Sequence, residues 1–109
     1  MKITKEDFIY AGSFGVDSGQ AMVGDPCYLD DWDTNNGDEW QPEKHAGEYC
    51  YQGASNASLN NYGVIGNVRA VAFSTGYGDG LYPVYVRINE DGRVGAVFID
   101  FDGYLEENE

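Results

Sequence analysis

The chain has 109 residues, 19 of them acidic and 6 basic, for a formal charge of −13. Like charge at this density repels nucleic-acid phosphates and anionic lipid, so neither direct nucleic-acid binding nor membrane binding is expected; cations, basic ligands and basic protein surfaces are attracted instead. With 42% hydrophobic residues the sequence reads as globular rather than disordered, and its length suits a single domain over residues 1–109.

In chain order, Thr4-Lys5-Glu6-Asp7 has the spacing of a helix capping box, with room for one turn before Phe8-Ile9-Tyr10. Phe14–Val16 and Gln20–Val23 predict two strands joined by Asp17-Ser18-Gly19 as a hairpin turn, because glycine accepts positive φ. Asp25-Pro26 ends the second strand, since proline cannot donate to a ladder. Residues 29–47 form a long acidic loop with at most a helical turn, and Tyr49–Gln52 resumes a strand. Ser55–Asn61 is open between a short helix and none, and Asn60-Asn61 would end such a helix.

Val68–Thr75 predicts a strand with Val71 and Phe73 on one face and Ala70 and Ala72 on the other. Tyr82, Val84, Val86 and Ile88 share a face of the next strand, and Pro83 places its start at an edge or a bulge. Asn89-Glu90-Asp91-Gly92 closes a hairpin onto Val94–Phe101, which is apolar on both faces and therefore reads as a central strand. Residues 104–109 form a frayed acidic tail. Fifteen glycines against three prolines suit tight turns between short strands. The elements together predict a mainly β fold, an antiparallel sandwich or partly open barrel with at most one or two short helices.

The segment MKITKEDFIYAG lacks the apolar run of a signal peptide, and no stretch is long enough to span a bilayer, so a cytoplasmic protein is expected. Cys27 and Cys50 are then expected as reduced thiols. The Asn56-Ala57-Ser58 sequon carries no glycan outside the secretory route.

Chemistry-bearing patterns are sparse. Asp31-x-Asp33-x-Asn35 with Gly37 resembles a calcium loop, yet its sixth position is Asn36 and its twelfth is Pro42 where a glycine and a bidentate glutamate are required. Asp100-x-Asp102-Gly103 with Glu106 is a weaker version. Gly76-Tyr77-Gly78-Asp79-Gly80 lacks the lysine and helix of a phosphate loop. It reads equally as a wide turn and as a recognition rim in which Tyr77 and Tyr82 offer flat faces and Asp79 a charge. Cys27 with His45 is the one cysteine–histidine pair with a candidate base, and nothing orients that imidazole. Cys27, Cys50 and His45 show no zinc-ligand spacing. Asp17 with Asp25, or Asp79 with Asp100, would suit acid–base or metal chemistry, against a background of 19 carboxylates that meet by chance. No cofactor is implied.

Two stretches, Gly15-Val16-Asp17-Ser18-Gly19-Gln20 through Gly24-Asp25-Pro26-Cys27-Tyr28 and Phe73-Ser74-Thr75-Gly76-Tyr77-Gly78-Asp79-Gly80-Leu81-Tyr82-Pro83, resemble small uncharacterised proteins of bacteria and tailed phages, grouped as a domain-of-unknown-function family. The resemblance implies a β-rich fold and a bacterial or phage origin, hence the cytoplasm of a host cell, and supplies no activity. It falls on Asp17, Asp25, Asp79 and Tyr82, which chemistry had already singled out.

The expectation is a non-enzymatic, acidic, phage-encoded binding protein that engages a host or phage protein, one with a basic surface favoured, or sequesters a small ligand, through Asp17, Asp25, Tyr77, Asp79 and Tyr82. Two alternatives stand beside it. One is a small hydrolase, carboxylate-based or metal-assisted, built on Asp17, Asp25 and Asp79. The other is a structural component that buries its tyrosines by oligomerisation. The sequence leaves the oligomeric state open.

Overall fold

The computed structural model describes residues 7–34 and 39–107. The capping-box reading at Thr4–Asp7 and the calcium-loop positions Asn35 to Gly37 therefore lie wholly or largely outside the described residues. The chain forms two compact units, one built from its two ends, up to Asp17 and from Asp79, and one from Ser18–Gly78. Each holds a three-stranded antiparallel sheet, so the fold is mainly β as expected, and among the described residues neither sheet closes into a barrel.

In the first unit, β1 (Ile9–Val16), β5 (Gly80–Ile88) and β6 (Val94–Ile99) pair in the order β1-β5-β6. Asn89 builds the β5–β6 hairpin: its side-chain oxygen accepts from the backbone N–H groups of Asp91 (2.9 Å) and Arg93 (3.1 Å), and Gly92 takes φ +78°. Alternation sorts Tyr82, Val84 and Val86 to one face, in register with Phe14, Gly12 and Ile9 on β1. Tyr82 packs edge-on against Phe101 at 5.0 Å, and on the other face Phe98 contacts Phe8 and Tyr104. After β6 a short helix, α2 (Tyr104–Glu107), follows, so the start of the expected frayed tail is ordered and Leu105 is buried.

Two strand placements differ from expectation. β5 is the central strand, Pro83 included, and β6 is paired only with β5 among the described residues. A strand residue points its N–H and C=O the same way, and the Pro83 carbonyl accepts from Asp100 N–H (3.2 Å), one residue past the last β5–β6 pair, Val84–Ile99. The missing proline donor thus falls at the last bridge of that ladder, which the Pro83 carbonyl alone still makes. β6 is apolar on both faces because Val94 and Val97 are simply exposed.

In the second unit, β2 (Gln20–Gly24), β4 (Ala70–Ser74) and β3 (Tyr62–Ile65) pair in the order β2-β4-β3. β1 and β2 therefore do not form the expected hairpin: Asp17-Ser18-Gly19 carries the chain from one sheet to the other. A nine-residue helix, α1 (Tyr51–Leu59), lies on the face that carries Ala70, Ala72, Gly63 and Ile65. Small residues set the close approach; a Cβ at Gly63 would stand 3.1 Å from that of Ala57. Tyr49 and Trp32 complete this core in edge contact at 5.0 Å.

Helix α1 replaces the strand expected at Tyr49–Gln52. The Cys50 sulfur accepts the Gly53 N–H (3.2 Å) as an N-cap, and Asn60 and Asn61 (φ +78°) end the helix. Gln52 is buried with its amide oxygen on the Gln41 N–H (2.7 Å) and its amide N–H on the Glu39 carbonyl (3.2 Å). The acidic loop is organised by two 3-10 turns, Pro26–Asp31 and Pro42–His45.

Candidate functional site

The five residues singled out in the sequence divide between the units. Asp17 and Asp79 each lie one step beyond the Val16–Gly80 pair, where β1 and β5 leave the ladder at the same end, and both are exposed. Tyr82 is 8% exposed and belongs to the core of its unit, so it offers no flat face at a rim. Tyr77 is exposed at the tip of the glycine-rich loop, whose shape is set by Thr75: its hydroxyl donates to the Gly78 carbonyl (2.9 Å), and Gly76 and Gly78 take positive φ. Asp25 caps the first 3-10 turn through the Cys27 N–H (2.9 Å). Asp100 is buried, with its two oxygens on the N–H groups of Tyr104 (2.8 Å) and Leu105 (2.9 Å), so it shapes a helix end rather than a cation site.

Asp25 also borders a feature the sequence did not reveal. The outer face of the second sheet carries Val23, Val71 and Val64 side by side across all three strands, 56%, 43% and 55% exposed. A hollow of about 270 Å³ opens there, lined by these valines, Val68 and Tyr28, with Asp25 and Arg69 at its rim. Arg69 is held by Asp31 (3.1 Å) and the Gly66 carbonyl (2.8 Å), and its guanidinium lies 5.3 Å from the Tyr28 ring centroid. The β3–β4 turn is unusual: Gly66, Asn67 and Val68 all have positive φ, at 66°, 53° and 64°. Val68 is β-branched, 81% exposed and left-handed, a combination that folding disfavours.

A second concavity, of about 280 Å³, has hydroxyls at Ser18, Ser58 and Ser74 and the exposed rings of Trp40 and Tyr51, 5.6 Å apart. The Gln20 amide braces it, donating to the Ser55 hydroxyl (3.0 Å) and accepting from Ser58 (2.9 Å). Among the described residues, no ionisable acid or base other than the Tyr51 phenol lines it.

Among the described residues, one side-chain cluster has metal-ligand character. His45, Glu48 and Cys50 place ligand atoms within 4.8 Å of one another, with His45 Nδ1 and Glu48 Oε1 3.2 Å apart. The cysteine beside His45 is thus Cys50; Cys27, exposed on its 3-10 turn, is not in the cluster, and neither thiol is in a disulfide. Its signal in the sequence is His-x-x-Glu-x-Cys, three donor types in six residues, with the Glu48 carboxylate between the histidine and the cysteine.

Fold and surface together define a small, mainly β protein that carries, on one of its two sheets, an apolar hollow bordered by Asp25 and Arg69 and a groove of hydroxyls and aromatic rings. The chain belongs to the DUF4241 family, described as proteins of unknown function, whose model matches residues 2–99. No curated protein and no solved structure matches it. Among the described residues no helix is long and apolar enough to cross a membrane.

Proposed function

We propose that this is a non-enzymatic binding protein that engages another protein through the valine-lined hollow on the second sheet. The observation that carries the reading is Val68. A β-branched side chain at positive φ is strained, and one left in water gains little from the hydrophobic effect. Both features have a use when a partner covers the residue. The hollow is apolar inside, with the Asp25, Asp31 and Arg69 charges beside it, the arrangement of protein-binding patches. A net charge of −13 favours a partner with basic residues around an apolar centre. The motif resemblance to bacterial and phage proteins supports a partner in a bacterial cytoplasm, of host or phage.

The test uses immobilised wild type and a Val64→Glu/Val71→Glu variant, checked for unchanged folding, against bacterial lysate at low and moderate salt. One stoichiometric protein, retained by wild type, absent from the variant and released by salt, is the expected result. The same proteins on both baits, or none on either, would refute the reading. A concentration-dependent mass by light scattering that the variant loses would assign the face to self-assembly instead.

The groove favours a second reading, sequestration of a small ligand. Two exposed aromatic faces beside hydroxyls and an amide suit a neutral, polar molecule with one flat apolar side, such as a sugar.

A further inference from the structure

We infer that His45, Glu48 and Cys50 form a binding site for a zinc-class divalent ion, with a fourth coordination position open to solvent. The cluster joins an imidazole nitrogen, a carboxylate oxygen and a thiol sulfur, the donor set that zinc accepts and that calcium or magnesium does not. Bonds of about 2.0–2.3 Å at tetrahedral angles put neighbouring donors about 3.5 Å apart. The His45–Glu48 separation of 3.2 Å already meets this, and with all three donors within 4.8 Å the sulfur comes into place by a side-chain shift of roughly 1 Å.

The backbone around the donors is fixed. Glu48 N–H donates to the His45 carbonyl (3.0 Å) and Cys50 N–H to the Glu48 carbonyl (3.0 Å), while Gly53 of α1 packs against the carbonyls of both His45 and Glu48. Cys50 is fully buried and its sulfur accepts the Gly53 N–H, so an outer-shell donor orients it. His45 is partly and Glu48 half exposed, so the ion is reached from the carboxylate side. Thiolate and carboxylate balance its two charges, with the thiol proton released on binding. Three protein ligands and one free position are the form of zinc sites that take up a water or an outside ligand. The site ties the Pro42–His45 turn to the start of α1, next to Tyr51 of the groove.

The experiment is titration of the metal-stripped full chain with Zn²⁺ against a chromophoric chelator, and with Co²⁺ as a spectroscopic probe. One equivalent of Zn²⁺ and a near-ultraviolet thiolate-to-cobalt charge-transfer band are expected. Cys50→Ser keeps an N-cap oxygen and loses the band; Glu48→Gln and His45→Ala lose the stoichiometric equivalent; Cys27→Ser retains both. Melting curves without metal establish that each variant is folded, and Glu48→Gln, near-isosteric and half exposed, serves where Cys50→Ser does not fold. No band in wild type, a band that persists in Cys50→Ser, or a band lost in Cys27→Ser overturns the assignment.

Discussion

Gly53 lies so close to the carbonyl of Glu48 that no side-chain atom fits between them. A Cβ there would collide with that oxygen and stand 3.0 Å from the carbonyl of His45. Both neighbours are backbone and cannot swing aside, and the Gly53 N–H is itself held by the Cys50 sulfur. Gly53→Ala, a change that usually favours a helix, is therefore expected to destabilise the protein by about 3 kcal/mol, as overpacking does. Urea unfolding measures it; an unchanged midpoint would show that α1 is not seated on the His45–Glu48 turn.

Asp100 holds the other short helix. With its carboxylate buried on the N–H groups of Tyr104 and Leu105, Asp100→Ala strands the Leu105 donor, whereas Tyr104 N–H keeps Asp102 at 3.1 Å. Asp100→Ala should cost about 2–3 kcal/mol and Asp100→Asn, which retains one acceptor oxygen, about half that. Equal losses from the two substitutions in thermal unfolding would mean that the carboxylate packs rather than caps.

What the sequence disclosed was local chemistry. Asn89-Glu90-Asp91-Gly92 specified its hairpin because side-chain acceptor and glycine sit within the turn itself, and alternation put Ala70 and Ala72 on one face of β4 without showing that this is the face the helix covers. Partner choice was hidden, being non-local: Asp17-Ser18-Gly19 has turn chemistry, yet β1 finds β5 and β2 finds β4. Pro83 misled because its effect depends on where a neighbouring ladder ends, and Tyr49–Gln52 because a cysteine N-cap resembles any apolar residue in a strand. Of the candidate site residues, Asp25 borders the hollow and Tyr82 is core. The valine row was invisible, since alternation shows which residues share a face but not whether that face is covered.

The groove makes its own prediction. Trp40 and Tyr51 are exposed, so removing a ring should leave stability within about 0.5 kcal/mol while abolishing ligand stacking. Titration of wild type with a panel of neutral sugars, followed by tryptophan fluorescence, should show saturable change that Trp40→Ala eliminates. Saturation unaltered in Trp40→Ala would place the ligand elsewhere, and no saturation with any neutral ligand would end the sequestration reading.

Val68 separates stability from function most sharply. Glycine at this position relieves a left-handed β-branched residue at φ +64° and removes an exposed side chain. The strain is worth about 1–3 kcal/mol, and the added freedom of the unfolded glycine chain offsets up to about 1 kcal/mol of it. Val68→Gly should therefore stabilise the protein by about 1 kcal/mol on balance, read as a higher denaturation midpoint, while weakening partner binding by removing an apolar contact from the hollow. Val68→Asn, whose side chain tolerates positive φ, should likewise stabilise and likewise lose binding. Unfolding and partner capture on the same preparations test both halves. A variant that is less stable would deny the strain, and one that is more stable with full partner retention would remove Val68 from the interface.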